Sequence, residues 1–247
     1  MIKFFRKIRH NLLTEGNTVK YLKYALGEIL LVVIGILIAL SINNWNELRK
    51  THNQDNEFLR NLKVELTVDI SSLSSRKTQY QAINYNIANT IKLFDRGDEN
   101  LTSAEQQVIV SALSQFQMFS PIDKNINRND LIIAQGTIDR IDKELNQEFL
   151  KYLQETLEIN AAITKLGETL QQLEILKIHP NVDYNYIDPN TNKLDFNFKE
   201  IANKRDVRNA LQKSFGYHKE YITIMAEKID EAEKLITLIN KNLNRSD

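Results

Sequence analysis

Cysteine is absent from this 247-residue sequence, and there are only seven glycines and three prolines. The lack of cysteine excludes a disulfide framework, a thiolate metal site and a lipoprotein anchor on a modified cysteine, while the redox compartment stays open. Glycine and proline are far below average usage, and such a scarcity of chain breakers favours long helices over a multi-stranded sheet. The sequence therefore predicts an all-α fold.

Motifs for catalysis or cofactor binding are missing as well. The closest two glycines are eight residues apart, which excludes a dinucleotide-binding fingerprint and a phosphate loop. The four histidines form no close pair, and no serine stands in a nucleophile-elbow context. Asp188, Asn190 and Asn192 match the start of a calcium loop, but Lys193 stands where that loop requires glycine. We expect no enzyme, and the sequence offers no catalytic, cofactor-binding or metal-binding residue.

The longest apolar run is ILLVVIGILIAL, residues 29–40. In a helix this run rises about 18 Å, which is less than the roughly 30 Å of a hydrocarbon core. Extended on both sides to a length of about 31 Å, the segment spans the core and encloses Glu28 near one end. Aromatic residues typical of membrane interfaces flank it: Tyr21, Tyr24 and Trp45. The sequence predicts one transmembrane helix over residues 21–43.

Two alternatives to a membrane span fit this segment less well. A signal peptide has a shorter apolar region that ends at a small-residue cleavage site, whereas Ser41 is followed here by Ile-Asn-Asn-Trp. A buried core helix requires a surrounding shell, and nothing else in the chain would enclose a segment that is apolar on every face. An uncleaved transmembrane helix is therefore the prediction.

The charges that flank the apolar segment predict its orientation. Residues 1–23 carry six Lys or Arg and one acid, whereas residues 43–66 hold four bases and four acids. The positive-inside rule places the N-terminus in the cytoplasm and residues 46–247 in the periplasm. Residues 1–20 are interpreted as a basic interfacial segment, with a disordered flank as the alternative. Because the net charge is zero, the rest of the chain is acidic and disfavours nucleic acid.

Two features inside the apolar segment are candidate contacts. Gly35 and Ala39 form a small-xxx-small pattern, which lets two membrane helices approach closely and makes them a candidate packing seam. Glu28 lies roughly 9 Å inside the segment by helical rise. Its side chain either snorkels toward the cytoplasmic headgroups near Lys23 or meets a basic or hydrogen-bonding residue on a partner's membrane helix.

Beyond the membrane, the sequence predicts a polar stalk over residues 44–57 and a helical bundle domain over residues 58–247. The stalk is rich in poor helix formers and is interpreted as a solvated or frayed joint. An apolar stripe with helical spacing then runs from Leu59 to Phe94 and stops at Arg96-Gly97. Thr102-Ser-Ala-Glu105 is a capping-box pattern that opens a shorter helix.

Two further stripes predict two long helices. The first runs from about residue 137 to 177 and includes Leu145, Leu153 and Leu157. The second follows a strict 4-3 spacing typical of a supercoiled seam: Leu211, Phe215, His218, Ile222, Met225, Ile229, Ala232, Ile236, Ile239 and Leu243. This seam packs either inside the domain or against a second chain as a coiled coil. His218 is interpreted as a seam residue with one polar edge.

Residues 182–198 break the helical pattern. Apolar and polar residues alternate on both sides of a Pro-Asn turn, which predicts a small β-hairpin. One face of the hairpin would carry four aromatic residues as a candidate interaction face: Tyr184, Tyr186, Phe196 and Phe198. An irregular ordered loop is the alternative for the same residues.

The N-terminal part of the chain resembles a known family in three runs: Phe4-Phe-Arg-Lys-Ile-Arg, Tyr24-Ala-Leu-Gly-Glu28 with the apolar run behind it, and Ile42-Asn-Asn-Trp-Asn-Glu47. This is an uncharacterised family of small single-pass membrane proteins from Gram-negative bacteria of the Bacteroidetes group. The resemblance is specific over residues 1–50, and further on it is limited to the helical layout and Gln135-Gly136. The family has no assigned activity, so the resemblance implies inner-membrane placement and no mechanism.

Three classes of function remain after these exclusions. The favoured one is a structural or adaptor module whose partners are the lipid bilayer and an unknown membrane or periplasmic protein, with homo-oligomers as a further option. The alternative is a ligand-sensing receptor-type domain that signals through a membrane partner, and an enzyme is disfavoured. A closed apolar pocket would favour the sensor, and an exposed aromatic face would favour the adaptor.

Overall fold

The computed structural model describes residues 18–97, 100–122, 137–138, 140–173 and 198–244. The helices in these ranges are α1 (Thr18–Arg96), α2 (Ser103–Gln115), α3 (Lys143–Leu173), α4 (Phe198–Asn203) and α5 (Arg205–Asn244). No strand occurs in the described ranges, which agrees with the all-α prediction. The chain forms two compact units, Met1–Glu57 and Phe58–Asp247.

The helix α1 is continuous through residues 44–57, where the sequence predicted a solvated or frayed joint. Most of these residues are exposed, but they do not interrupt the helix. The reason is the cooperativity of helix formation: extending an existing helix adds one hydrogen bond per residue, so poor helix formers inside a long helix cost little. Fraying was therefore the wrong expectation for this stretch.

Local hydrogen bonds explain where α1 ends and α2 begins. The N–H of Gly97 donates to the carbonyl oxygen of Leu93 at 3.2 Å, and Gly97 has a φ of 68°, a conformation that favours glycine. Thr102 then caps α2: its Oγ1 accepts from the Glu105 N–H, and the Glu105 carboxylate accepts from the Thr102 N–H. Both features were expected from the sequence, and both are confirmed.

Within the unit Phe58–Asp247, α5 runs antiparallel to both α3 and α1. Three ion pairs join α5 to α3 in reverse order: Lys228–Glu155, Lys234–Glu148 and Lys241–Glu144. Toward α1, Lys63 donates to Asn240 at 2.8 Å, and Arg208 pairs with Asp95 at 2.5 Å. The short helix α4 packs against α5.

The apolar stripes of the sequence form the core of this unit. Most of the α1 stripe from Leu59 to Phe94 is buried, which confirms that prediction. On α3, however, Leu157 is exposed, and the neighbouring Thr156 is buried instead. Thr156 belongs to the buried face because its hydroxyl is satisfied locally, donating to the Tyr152 carbonyl oxygen at 2.7 Å.

The predicted seam of α5 also lies inside this unit. Six of its positions are buried, and Phe215, Ile222, Ile236 and Leu243 are partly buried against the core. The seam therefore packs within the chain. A second line of buried residues, spaced by seven, runs beside it and includes three polar side chains: Val207, Ser214, Tyr221, Lys228, Leu235 and Asn242.

Lys228 is a buried charge on this second line, with 2% of its surface exposed. Its ammonium lies 2.8 Å from Glu155 and 2.6 Å from Glu231, and 5.2 Å from the centre of the Tyr152 ring. The hydrogen bond from Lys228 lowers the pKa of the Glu155 carboxyl. Because a buried ammonium requires partners, this cluster fixes the register of α3 against α5.

The predicted hairpin lies almost wholly outside the described residues, and this applies to Tyr184, Tyr186 and Phe196. Phe198 is described, and it begins α4 rather than ending a strand. Its ring is buried and packs edge-on against Phe94 with centroids 5.7 Å apart. At this position the strand prediction is wrong, because Phe198 lies in a helix. Its ring packs on Phe94 within the chain and does not face a partner.

We expect Gly216→Ala to stabilise the protein by about 0.5–1 kcal/mol, because a helix-interior glycine loses more backbone entropy on folding than alanine. A Cβ at Gly216 in α5 meets nothing within 4 Å. The matched control is Gly97→Ala, which we expect to destabilise by about 1–2 kcal/mol because its φ of 68° suits glycine. Urea unfolding of the full chain in detergent measures both. Equal signs for the two variants would contradict this assignment.

Candidate functional site

The apolar part of α1 is an unburied surface of the first unit. This helix is long and apolar enough to cross a membrane: an 18-residue window of it has a mean hydropathy of 2.7, and none of that window is buried. Every large apolar side chain from Ile29 to Leu40 is exposed. A soluble protein rarely leaves so large an apolar surface open, so this surface requires a covering environment.

The polar residues of this stretch differ in how they are satisfied. Ser41 donates to the carbonyl oxygen of Leu37 at 2.8 Å, so its hydroxyl needs no outside partner. Glu28 is exposed. A Cβ added at Gly35 meets nothing within 4 Å, and Ala39 is exposed. The candidate seam Gly35–Ala39 therefore lies on an open face of the helix.

At the C-terminal end of the apolar stretch, a basic side chain covers an aromatic ring. Trp45 is exposed, and the guanidinium of Arg49 lies 5.6 Å from the centre of its ring. One turn along, Lys50 pairs with Glu47 at 3.3 Å. A tryptophan beside an arginine is the combination that suits a lipid headgroup layer, where one side of the ring is apolar and the other is polar.

In the second unit, the most elaborate polar arrangement surrounds segment 116–122, which follows α2 without forming a helix. Side chains of three helices bind its backbone. From α1, Arg76 donates to the Pro121 carbonyl oxygen, and the Tyr80 hydroxyl accepts from the Ser120 N–H at 2.8 Å. From α3, the Asn160 Oδ1 accepts from the Ile122 N–H at 2.7 Å.

The helix α5 contributes two further hydrogen bonds and one close polar contact to segment 116–122. The Ser214 hydroxyl donates to the Phe116 carbonyl oxygen at 2.5 Å, and the Tyr221 hydroxyl donates to the Ser120 carbonyl oxygen. The Nε2 of His218 lies 3.3 Å from the Met118 carbonyl oxygen. Side chains of α1, α3 and α5 thereby supply hydrogen-bond partners to backbone groups that have none within a helix.

Four rings pack around these bonds. Phe119 of the segment lies 4.3 Å from the His218 ring centre and 5.9 Å from that of Tyr221, and Tyr80 lies 5.5 Å from His218. Burial lowers the pKa of the His218 imidazole and raises that of the Tyr221 phenol. Burial also raises the pKa of Tyr80. All three side chains are therefore held neutral at physiological pH.

Ser214 and His218 are close enough to suggest a nucleophile and its base, with Oγ and Nδ1 3.0 Å apart. Both residues are fully buried, however, and the hydroxyl proton of Ser214 is directed at the Phe116 carbonyl oxygen. A catalytic serine must present its oxygen to a substrate. This pair therefore binds backbone in the described structure and is not arranged for acyl transfer.

A groove of about 330 Å³ lies between the end of α1 and the start of α2. Its lining includes the exposed ring of Tyr85, the ammonium of Lys92 and the ion pair of Arg96 with Glu105. The hydrogen bond from Arg96 holds the pKa of the Glu105 carboxyl at about 2. The groove is open to solvent, unlike the closed apolar pocket that would favour a ligand sensor.

Sequence reasoning found His218 as a core residue with a polar edge, and the structure bears this out. It did not find Tyr80, Ser214 or Tyr221 as partners of segment 116–122. Each of these residues occupies an ordinary helix position, and nothing local indicates a backbone partner 40 residues away for Tyr80 or about a hundred residues away for Ser214 and Tyr221. The nearest usable signal was Ser120-Pro121, which marked the end of helical structure but not its contacts.

Comparison with known proteins gives one family. A family of unknown function, DUF6090, matches residues 28–106, about a third of the chain. The match overlaps the stretch in which the sequence resembles an uncharacterised family, and it extends over the rest of α1 into α2. No curated protein and no solved structure matches the chain.

We expect Tyr221→Phe to lower the free energy of unfolding by about 1–3 kcal/mol, because it leaves the partly buried Ser120 carbonyl oxygen without this donor. Tyr217→Phe is the matched control one turn earlier on α5, where the side chain is partly exposed. We expect that control to change stability by less than about 0.5 kcal/mol. Equal effects of both variants in urea unfolding would show that the Tyr221 bond contributes nothing specific.

Proposed function

We propose that this chain is a membrane-anchored interaction module of the bacterial inner membrane. In this proposal, α1 crosses the bilayer and the unit Phe58–Asp247 acts as a structural or adaptor domain. The supporting observation is the apolar stretch of α1: its 18-residue window is 0% buried, whereas the core helix of a soluble protein would be mostly buried. A bilayer supplies the covering environment that such a surface requires.

The orientation follows from charge. Lys and Arg are concentrated before the apolar stretch, and bases and acids balance after it. By the positive-inside rule, the N-terminus lies in the cytoplasm and the unit Phe58–Asp247 in the periplasm. The Trp45–Arg49 contact supports a headgroup layer at the periplasmic end of the span.

The adaptor role rests on the character of the second unit. Its polar contacts serve internal architecture: the Lys228 cluster fixes helix register, and side chains from three helices hold segment 116–122. No group of acidic, histidine or cysteine side chains suited to a metal occurs in the part of the chain that the structure describes. Such a unit is suited to binding a protein partner through its surface. Ligand sensing ranks second, because the groove beside Lys92 is open to solvent and is not the closed apolar pocket that a sensor would favour.

The membrane anchor is tested by extraction with alkaline carbonate. We expect the full chain to stay with the membrane pellet and a secreted-type reporter after Asp247 to be active. Ile34→Arg combined with Ile38→Arg should release the protein, because each mid-membrane arginine costs about 2.5–3.5 kcal/mol on insertion scales. Leu48→Arg, beyond Trp45 on the same helix, is the control and should remain inserted. If a reporter that works only in the cytoplasm were active after Asp247, the proposed orientation would be wrong.

A partner contact at Glu28 is a finer part of the same proposal. A carboxylate within a membrane helix is expensive unless it snorkels or meets a partner. Under the partner proposal, Glu28→Gln inserts normally but loses a specific membrane protein in crosslinking and pulldown from native membranes. Gly35→Leu tests the candidate seam in parallel and should leave that capture unchanged if Glu28 alone makes the contact. Full retention of all partners by Glu28→Gln and Glu28→Leu would leave snorkelling as the explanation.

A further inference from the structure

Segment 116–122 covers the His218 imidazole inside the second unit. Phe119 packs on the ring at 4.3 Å between centres, and the Met118 carbonyl oxygen lies 3.3 Å from Nε2. With this cover in place, His218 has no exposed surface. If the segment moves away, the imidazole loses both contacts and meets water.

The proton positions in this cluster follow from the distances. The 2.5 Å between Ser214 Oγ and the Phe116 carbonyl oxygen requires the hydroxyl proton between them. The Nδ1 of His218 then faces two acceptors, the Ser214 carbonyl oxygen at 2.9 Å and the Ser214 Oγ at 3.0 Å, so it must carry a proton itself. In the neutral imidazole, Nε2 is therefore the atom left without a proton, and it faces the Met118 carbonyl oxygen.

We propose that His218 is a proton-operated latch, in which uptake of one proton releases segment 116–122 from α1 and α5. A proton on Nε2 would gain a bond to Met118, but it would also place a cation in a fully buried site. Among the residues that the structure describes, Tyr80 of α1 packs on the imidazole, Tyr221 of α5 packs on Phe119, and Arg76 of α1 binds the Pro121 carbonyl oxygen; none of these three is an acid. The segment itself has no titratable side chain, and Asn160 of α3 is uncharged.

The direction of the pH effect follows from linkage. The covered imidazole has a pKa below its ordinary value of 6.5 because it is buried. Once the segment is released, the imidazole is hydrated and regains that ordinary value. As the pH falls below about 6.5, the released state binds one more proton than the latched state, so acid favours release. The released population rises by up to tenfold for each pH unit, and the effect stops below the pKa of the covered form.

Hydrogen exchange of the full-length protein in detergent tests this latch. Protection of the amides in segment 116–122 is compared at pH 7.5, 6.5 and 5.5, after correction for intrinsic exchange rates. We expect protection to fall up to about tenfold between pH 7.5 and 5.5, with about fivefold of this between pH 6.5 and 5.5. His218→Phe keeps the ring packing and His218→Gln keeps a polar, uncharged side chain beside Met118, and both should remove this pH dependence. His52→Gln, at an exposed position on α1, should leave it intact.

The outcomes that would overturn the latch are equally definite. If the amide protection of segment 116–122 in the wild-type protein does not change between pH 6.5 and 5.5, the proposed latch does not exist. Persistence of the change in both His218 variants would assign it to another group. If both variants fail to fold, nitrogen-15 spectra of wild-type histidines decide: the latch requires His218 to be neutral with its proton on Nδ1 in the protected form. A protonated His218 in that form at pH 6.5 would overturn it.

Discussion

The fixed position of an irregular backbone segment is the constraint on which the second unit depends. Residues 116–122 form no helix, so several of their N–H and C=O groups lack the partners that helical residues supply to one another, although the N–H groups of Phe116 and Met118 donate to carbonyl oxygens of α2. Side chains from three helices bind other groups of this backbone: Arg76, Tyr80, Asn160, Ser214 and Tyr221. Each of these bonds limits how far its helix can slide. The three helices must therefore hold one register, which apolar packing alone would specify less tightly.

The same logic explains why α5 carries polar residues on a buried line. Ser214 and Tyr221 bind segment 116–122, and Lys228, about two turns further on, binds two glutamates. Asn242 bonds to the carbonyl oxygen of Leu238 within the helix. Each of these four side chains on the line has a partner, so none carries the full desolvation penalty of an orphaned group. The polar contacts on this line determine the register of α5 against its neighbours, and the apolar seam beside it supplies most of the buried area.

The first unit follows a different physical rule. The large apolar side chains of residues 29–40 are exposed in the isolated chain, and the polar side chains at the two ends of this stretch differ: Ser41 is satisfied by its own helix, while Glu28 is exposed. A helix is a suitable element for a membrane because all of its backbone bonds are internal. The proposed function rests on this exposure. The proposed latch at His218 rests instead on a contact network in the second unit, so either idea can fail without the other.

The sequence by itself determined the helical class, the apolar stretch, the capping box at Thr102 and the end of α1 at Gly97. These features depend on periodicity and on hydrogen bonds between residues a few positions apart, and both can be recognised in the sequence alone. The tertiary structure alone decided that Leu157 is exposed, that Phe198 begins a helix on Phe94, and that Ser214, Tyr221 and Lys228 are buried. The contacts of Phe198, Ser214, Tyr221 and Lys228 include partners far away in sequence, which only folding brings within reach.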